Sequence, residues 1–248
     1  MSMIALFTDF GLNGPYVGQM QAVVYHHAPA TAVVNLFADA PVFNPRAAAY
    51  LLAAFRAYMP PDTVFLCVVD PGVGTAARIP VALCADGTWF VGPDNGLFQI
   101  VRQRATQYRQ MEIVWRPARL SDSFHGRDLF APIAAWIASG ASLDGKLAPA
   151  QSAAATERWP DDLAAIIYID HYGNAVTGLR GTALDVGQVL LARGRKWKYA
   201  RTFGEVTAGE CFWYVNANGL VELAINHGSA AHTTGIQVGD DVDWEGKG

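Results

Sequence analysis

The sequence predicts an α/β fold, with an N-terminal α/β (Rossmann-like) sandwich domain followed by a C-terminal all-β, barrel-like domain. Three observations carry this. Strand and helix patterns alternate up to about residue 145. The stretch Thr63 to Val69 is continuously apolar, as expected of a strand covered on both faces. Beyond residue 162, short β-type runs follow one another with no helical period. The expected organisation is an N-terminal domain over 1–148, a linker over 149–162 rich in Ala, Ser, Gln, Pro and charge, and a C-terminal domain over 163–248.

Met3 to Thr8 is a short apolar strand, and Pro15 to His27 a helix with proline in its first turn, where the missing donor matters least. Thr31 to Phe37 is a second strand. Asn44-Pro45 then opens a helix reaching about Met59, with Asn44 as N-cap and Pro45 at the first helical position. After the strand ending at Val69, Ile79 to Ala85 and Thr88 to Val91 flank Asp86-Gly87, a hairpin turn. Met111 to Trp115 reads as a strand and Leu129 to Ser139 as a helix. The second half holds strands at Ala164 to Ile169, Gln188 to Ala192, Trp197 to Phe203, Cys211 to Asn216 and Leu220 to Ile225, the last two joined at Asn218-Gly219.

Composition excludes several classes. With 52% hydrophobic and 16% charged residues the chain has ample material for buried cores, so disorder is excluded. Its net charge of -4, without a basic run longer than two residues, gives nucleic-acid binding no electrostatic support. Cys67, Cys84 and Cys211 are widely spaced within or beside apolar runs and read as free thiols of a reducing compartment. The N-terminal segment reaches an acid at Asp9 without a basic region, as a strand and not a signal peptide does, and no apolar stretch is long enough to span a bilayer. A cytoplasmic protein is expected.

The chemistry-bearing segments lie at strand ends, where open α/β sheets bind ligands. Asp70-Pro-Gly-Val-Gly-Thr-Ala closes the third strand with a carboxylate and two glycines. Gly72, Gly74 and Ala77 fit a dinucleotide fingerprint, but Pro80 and a hairpin follow where that motif needs a helix. Asp9, after the first strand, reads equally as a turn residue or a ligand contact. His125 in Ser123-Phe-His-Gly-Arg-Asp128 reads either as part of a capping loop or as a titrating group beside the strand ends. Asp170-His-Tyr-Gly-Asn174 and Asn226-His-Gly-Ser229-Ala-Ala231 close strands in the second half with turn chemistry or with a base site, Tyr172 stacking and Asn174 meeting the base edge. No zinc-type spacing of Cys and His occurs.

Taken in order, Thr8-Asp-Phe-Gly11, Asp70 to Thr75, Gly92-Pro-Asp-Asn95-Gly-Leu97, Phe124 to Asp128, Asp170 to Asn174 and Gly228 to Ala231 resemble the S-adenosylmethionine hydroxide adenosyltransferase family, relatives of the fluorinases and chlorinases. The resemblance spans nearly the whole chain. It implies hydrolysis of S-adenosyl-L-methionine to adenosine and L-methionine by water attack at ribose C5′, with the sulfonium compound as substrate and no cofactor or metal. It also implies a homotrimer with sites between the N-domain of one subunit and the C-domain of its neighbour. By position, Asp70, Arg78 and His125 are the implied catalytic set. Arg78 stands one residue after the family's usual arginine position, held here by Ala77. Asp9 is implied to bind the ribose hydroxyls, Tyr172 and Asn174 the adenine, and Asp170 the methionine end. Asn95, Asn226, Ser229 and Ala230 complete the implied binding set. Gly14 departs from the acid that relatives commonly carry there, and Asn35-Leu-Phe-Ala38 from their Asp-Ile-Ser/Thr-His. The halide branch carries uncharged residues in place of the Asp70-type acid, so an aspartate with a histidine favours water. The competing functions are a non-catalytic S-adenosylmethionine or adenosine sensor, a halogenase and a methyltransferase.

Overall fold

The computed structural model describes residues 2–75, 79–150 and 158–245. The chain divides into two compact units, Met1–Leu52 with Met59–Trp159, and Ala53–Tyr58 with Pro160–Gly248.

The first unit is built on a seven-stranded sheet. Its strands are β1 (Met3–Thr8), β2 (Ala32–Phe37), β3 (Thr63–Val68), β4 (Pro80–Ala85), β5 (Thr88–Pro93), β6 (Tyr108–Ile113) and β7 (Leu147–Pro149), in the order β2-β1-β3-β5-β4-β6-β7. Pairs β1/β2, β1/β3 and β3/β5 are parallel, and the rest of the sheet is antiparallel. Every residue of β3 is buried, which is why its sequence is an unbroken apolar run. The helices are α1 (Tyr16–His27), α2 (Pro45–Arg56), α3 (Gln99–Arg104) and α4 (Ala131–Ser139). Asn44 caps α2 as its sequence requires, Oδ1 accepting the Ala47 N–H at 3.0 Å. Asp86 and Gly87 both take positive φ, 46° and 82°, the geometry of a two-residue hairpin turn that follows the twist of β4 and β5. A core from Ile4, Leu6, Met20, Val24, Leu66, Val91, Phe130 and Ile133 joins the sheet to α1 and α4.

The structure departs from the sequence reading in several places: α2 ends at Arg56, short of Met59, and β6 covers Tyr108–Ile113 where the sequence places Met111 to Trp115. The last predicted helix starts earlier, with one wide, π-type turn over Gly126–Phe130 that runs into α4. The six-residue α3 and the three-residue β7 are too short to carry a periodic signal. At the end of the first unit, Trp159 is tied to α3, its N–H donating to Gln103 Oε1 at 3.0 Å and its carbonyl accepting from Gln103 Nε2 at 2.8 Å. Half of the predicted linker, 151–157, lies outside the described residues.

The second unit carries a seven-stranded sheet of its own. The strands are β8 (Leu163–Ile169), β9 (Ala175–Arg180), β10 (Leu190–Ala192), β11 (Arg195–Tyr199), β12 (Cys211–Val215), β13 (Leu220–Ile225) and β14 (Asp243–Trp244), in the order β14-β10-β11-β12-β13-β9-β8. A single-turn helix, α5 (Ala230–Thr234), is capped by Ser229, whose Oγ accepts the His232 N–H. Trp197, Trp213, Leu190, Leu223 and Ile236 fill the core. Strand β9 escapes sequence reading because Gly178 interrupts it. A Cβ there would lie 2.6 Å from Leu163 Cβ on β8, so the glycine permits the pairing while weakening the β signal. The strand expected from Trp197 to Phe203 runs instead from Arg195 to Tyr199. Thr202 then caps a tight turn by accepting the Gly204 N–H.

Close strand packing in the first unit gives a direct test. A Cβ on Gly92 of β5 would stand 2.3 Å from the Cys67 carbonyl oxygen and 3.0 Å from Phe98. Gly92→Ala is expected to cost about 1–3 kcal/mol of unfolding free energy, read as a lower urea midpoint with an unchanged m-value.

Candidate active site

Parallel pairing of β1 with β3 sets Thr8 opposite Val68, so Asp9 and Asp70 emerge from adjacent strand ends. The Asp9 N–H donates to Val68 O at 3.3 Å. Asp9 Oδ2 accepts the N–H of Phe43 at 3.1 Å, and Phe43 holds a left-handed φ of 56°. Burial, reinforced by the nearby charge of Asp70, raises the Asp9 carboxyl above the ordinary carboxylate range, while the backbone N–H bonds oppose the shift.

Asp70 turns the chain back, its Oδ1 accepting the Gly72 N–H at 3.0 Å. Asn95 reaches the same place from the other side, Nδ2 donating to the Val69 carbonyl at 2.8 Å. It braces the strand end that presents Asp70. The turn then meets the loop before His125. Gly74, at φ 79°, lies so close that a Cβ would stand 2.2 Å from the Asp122 carbonyl oxygen. Glycine at position 74 is thus required by a second loop.

Asp128 organises that loop. It accepts the Ser121 N–H at 2.9 Å and pairs with Arg127 through both carboxylate oxygens, at 2.6 and 3.0 Å. The Arg127 hydrogen bonds hold the Asp128 carboxyl below its usual range, with further lowering from the Ser121 N–H and the charge of His125. Arg127 also stacks 5.1 Å over the Phe124 ring and donates to Gln19 of α1 at 3.2 Å. A Cβ on Gly126 would stand 3.2 Å from Met20 Sδ and 3.3 Å from Val68 Cγ2, so the glycine lets the loop lie close on the sheet.

Asp9, Asp70 and His125 consequently line one cavity of about 370 Å³. Its apolar wall is a cluster of rings, with centroids 5.6 Å apart for Phe10 and Tyr16, 5.7 Å for Phe10 and Phe124, and 5.3 Å for Tyr16 and Phe124; Val42 and Phe43 extend it. Two carboxylates and an imidazole against a dry wall can orient a small nucleophile and accept its proton. Arg78 and Ala77 lie outside the described residues.

The second unit has a cavity of about 560 Å³ lined by Asp170, Tyr172, Asn174 and Gly228, with Phe203, Tyr214, Ile225 and His227. Asp170 shapes its own turn, Oδ1 accepting the N–H groups of Tyr172 and Asn174 at 2.9 and 2.8 Å. Gly173, at φ 83°, lets this turn dock on the next loop, for a Cβ there would overlap Ser229 Oγ; the Gly173 carbonyl accepts the Ala231 N–H at 2.9 Å. Tyr172 stands 77% exposed beside the cavity, its ring in edge contact with His171 at 5.7 Å and its exposed surface open to stacking. Asn226 is drawn away, its Nδ2 donating to the Val206 carbonyl at 2.6 Å. Ser229 caps α5, and Ala230 is fully buried behind it. The motifs missed Tyr214 and the buried Glu222; the signal for Glu222 was an acid inside the apolar run Leu-Val-Glu-Leu-Ala-Ile. Among the described residues no cluster of three His, Cys, Asp or Glu side chains could hold a metal ion, and no helix is long and apolar enough to cross a membrane.

Comparison with known proteins agrees with this division. The SAM hydroxide adenosyltransferase N-terminal domain matches residues 4–146, and the corresponding C-terminal domain matches residues 164–243. The chain is 38% identical to an (R)-S-adenosyl-L-methionine hydrolase of Thermus thermophilus, covering 98% of this chain and 99% of that protein. A fluorinase of Actinopolyspora mzabensis is more distant, at 24% identity over 97% of this chain and 96% of its own length. The fold is similar to the crystal structure of an uncharacterised conserved protein from Thermotoga maritima, with a TM-score of 0.87 and 29% identity over 98% of this chain and all of that one.

Two carboxylates here have opposite pH signatures. Asp9, raised in the folded protein, costs stability once pH climbs past the unfolded carboxylate value near about 4. Asp9→Asn keeps an acceptor for Phe43, and is expected to raise the melting temperature at pH 7 by roughly 1–3 °C but not at pH 3. Asp128, lowered, contributes stability above about pH 4 that vanishes as pH falls through its folded value. Thermal scans of Asp128→Asn should therefore show a deficit at pH 7 that narrows at pH 3.

Proposed function

We propose that this protein, which belongs to the S-adenosylmethionine hydroxide adenosyltransferase family, hydrolyses S-adenosyl-L-methionine to adenosine and L-methionine. Because the relatives are named for the (R) epimer, that epimer is the substrate we assign. A single observation supports the reading most: Asp9, Asp70 and His125 share one aromatic-walled cavity at the strand ends.

The chemistry follows from charge. Water attacks C5′ in line with the departing sulfur, and the sulfonium leaves as a neutral thioether that needs no acid. The demand falls on the nucleophile, since free water, with a pKa of about 15.7, supplies little hydroxide at neutral pH. Asp70 and His125 hold one water and take its proton as the C–O bond forms. Rings at Phe10, Tyr16 and Phe124 keep other water out and favour a cationic sulfur over their faces. Asp9 accepts hydrogen bonds from the ribose hydroxyls alongside the Phe43 N–H bond to its Oδ2. Arg78 is assigned the role of holding the water geometry.

The second cavity takes the adenine, with Tyr172 stacking and Asn174 meeting the base edge, and Asp170 faces the methionine end. A homotrimer in which each first-unit cavity is completed by the second unit of a neighbouring copy unites the two sets of residues. S-Adenosylmethionine is then substrate and not cofactor, in a cytoplasmic enzyme with no nucleic-acid or membrane partner.

Incubation with separated sulfonium epimers in ¹⁸O-water is expected to yield methionine and adenosine labelled in the 5′-hydroxyl, faster from the (R) form. S-Adenosylhomocysteine would indicate methyl transfer, a chloride-dependent 5′-chloro-5′-deoxyadenosine would indicate halogenation, and tight binding without product a sensor; each contradicts the reading. Asp70→Asn and His125→Ala are expected to lower kcat by roughly 10²–10⁴-fold with small changes in KM, whereas Asp9→Ala should act mainly on KM.

A further inference from the structure

Glu222 belongs to no motif, yet it is a buried, hydrogen-bonded acid beside the second cavity. It lies in β13 and is 4% exposed. Its Oε1 accepts the Tyr214 hydroxyl proton and its Oε2 the Asn216 Nδ2–H at 2.8 Å. Burial raises the carboxyl of Glu222, helped by the charge of Asp170 and opposed by the hydrogen bonds from Tyr214, Asn216 and Asn174. The Asn174 amide therefore meets two acids, because its Nδ2 also donates to Asp170 Oδ2 at 3.0 Å. Asn174 itself is 4% exposed and lines the cavity, and its Oδ1 is buried with no hydrogen-bond partner.

An asparagine amide carries two donors at one end and an acceptor at the other. Two carboxylates on one side fix which end is which, for the rotated amide would set oxygen against oxygen. With its Nδ2 held by Asp170 and set beside Glu222, Asn174 turns its acceptor oxygen to a ligand.

We propose that Glu222, itself held by Tyr214 and Asn216, is a positioning residue that fixes Asn174 as a hydrogen-bond acceptor and so selects 6-aminopurine over 6-oxopurine nucleosides. The inference rests on the reading that the second cavity receives the base. A 6-amino group donates to Asn174 Oδ1, whereas a 6-oxo group sets acceptor against acceptor and leaves both unpaired. Tyr214 contributes from both sides, as cavity wall and as clamp on Glu222.

The test is calorimetric binding of adenosine and inosine to the intact protein and to Glu222→Gln, whose neutral amide can donate or accept and no longer dictates the Asn174 orientation. The wild-type protein is expected to prefer adenosine by about tenfold or more. In the variant that ratio should fall at least about threefold through lost adenosine affinity, with KM raised and kcat retained. A merely structural role would weaken both nucleosides alike, and an unchanged ratio would overturn the proposal. Tyr214→Phe, which keeps the ring and frees one Glu222 oxygen, should move the ratio the same way and decides the matter if Glu222→Gln fails to fold. Equal binding of the two nucleosides by the wild-type protein also overturns it. If adenosine does not bind the wild-type protein at all, the base-site reading itself fails, a result separable from adenosine binding with an unaltered ratio.

Discussion

Close approach of one turn to a neighbouring loop, possible only at glycine, underlies the functional geometry of each unit. In the first, Gly74 brings the turn after Asp70 against the Asp122 carbonyl, and so against the loop that ends in His125. In the second, Gly173 brings the turn containing Tyr172 and Asn174 against Ser229. Both glycines have positive φ, where a side chain is strained as well as crowded. An acid opens each turn and accepts its N–H groups, Asp70 from Gly72 and Asp170 from Tyr172 and Asn174. The motifs conserve energy of position: short, rigid turns set side chains that lie far apart in sequence around one space.

The first cavity is also a place of unresolved strain. Asp9 and Asp70 are like charges at neighbouring strand ends, and burial makes ionisation of Asp9 costly. Phe43 is held in a left-handed conformation by its bond to Asp9. The loop of His125 gains what these lose, through the bidentate pair of Arg127 with Asp128 and the ring under the guanidinium. A site in which burial makes the ionisation of Asp9 costly is suited to a ligand that arrives positively charged, as a sulfonium does.

Much of this was legible in the sequence. Apolar runs ending in acids located β1 and β3 and fixed Asp9 and Asp70 at their ends, and Asn44-Pro45 and Asp86-Gly87 identified a cap and a hairpin because local chemistry alone determines them. The elements that escaped were those set by tertiary contact. Strand β9 contains Gly178 for the sake of Leu163, and α3 is a six-residue helix held by packing. At the site, Asp70, His125, Tyr172 and Asn174 were readable as motifs. The ring cluster was not, since Tyr16 joins Phe10 and Phe124 only after α1 folds back. Neither was the Gly74–Asp122 contact, which spans distant segments, nor the Glu222 network, whose partners lie on β12 and in two turns. Asn95 and Asn226 resemble ligand contacts in sequence, while in the structure their amides brace neighbouring backbone.

The central claim is that one water, gripped by Asp70 and His125, becomes the 5′-hydroxyl of the product. A crystal structure of the protein with adenosine bound tests it most directly. The account predicts the 5′-oxygen within hydrogen-bonding distance of both side chains, with the ribose hydroxyls on Asp9. A nucleoside seated with its 5′-oxygen away from both would contradict it.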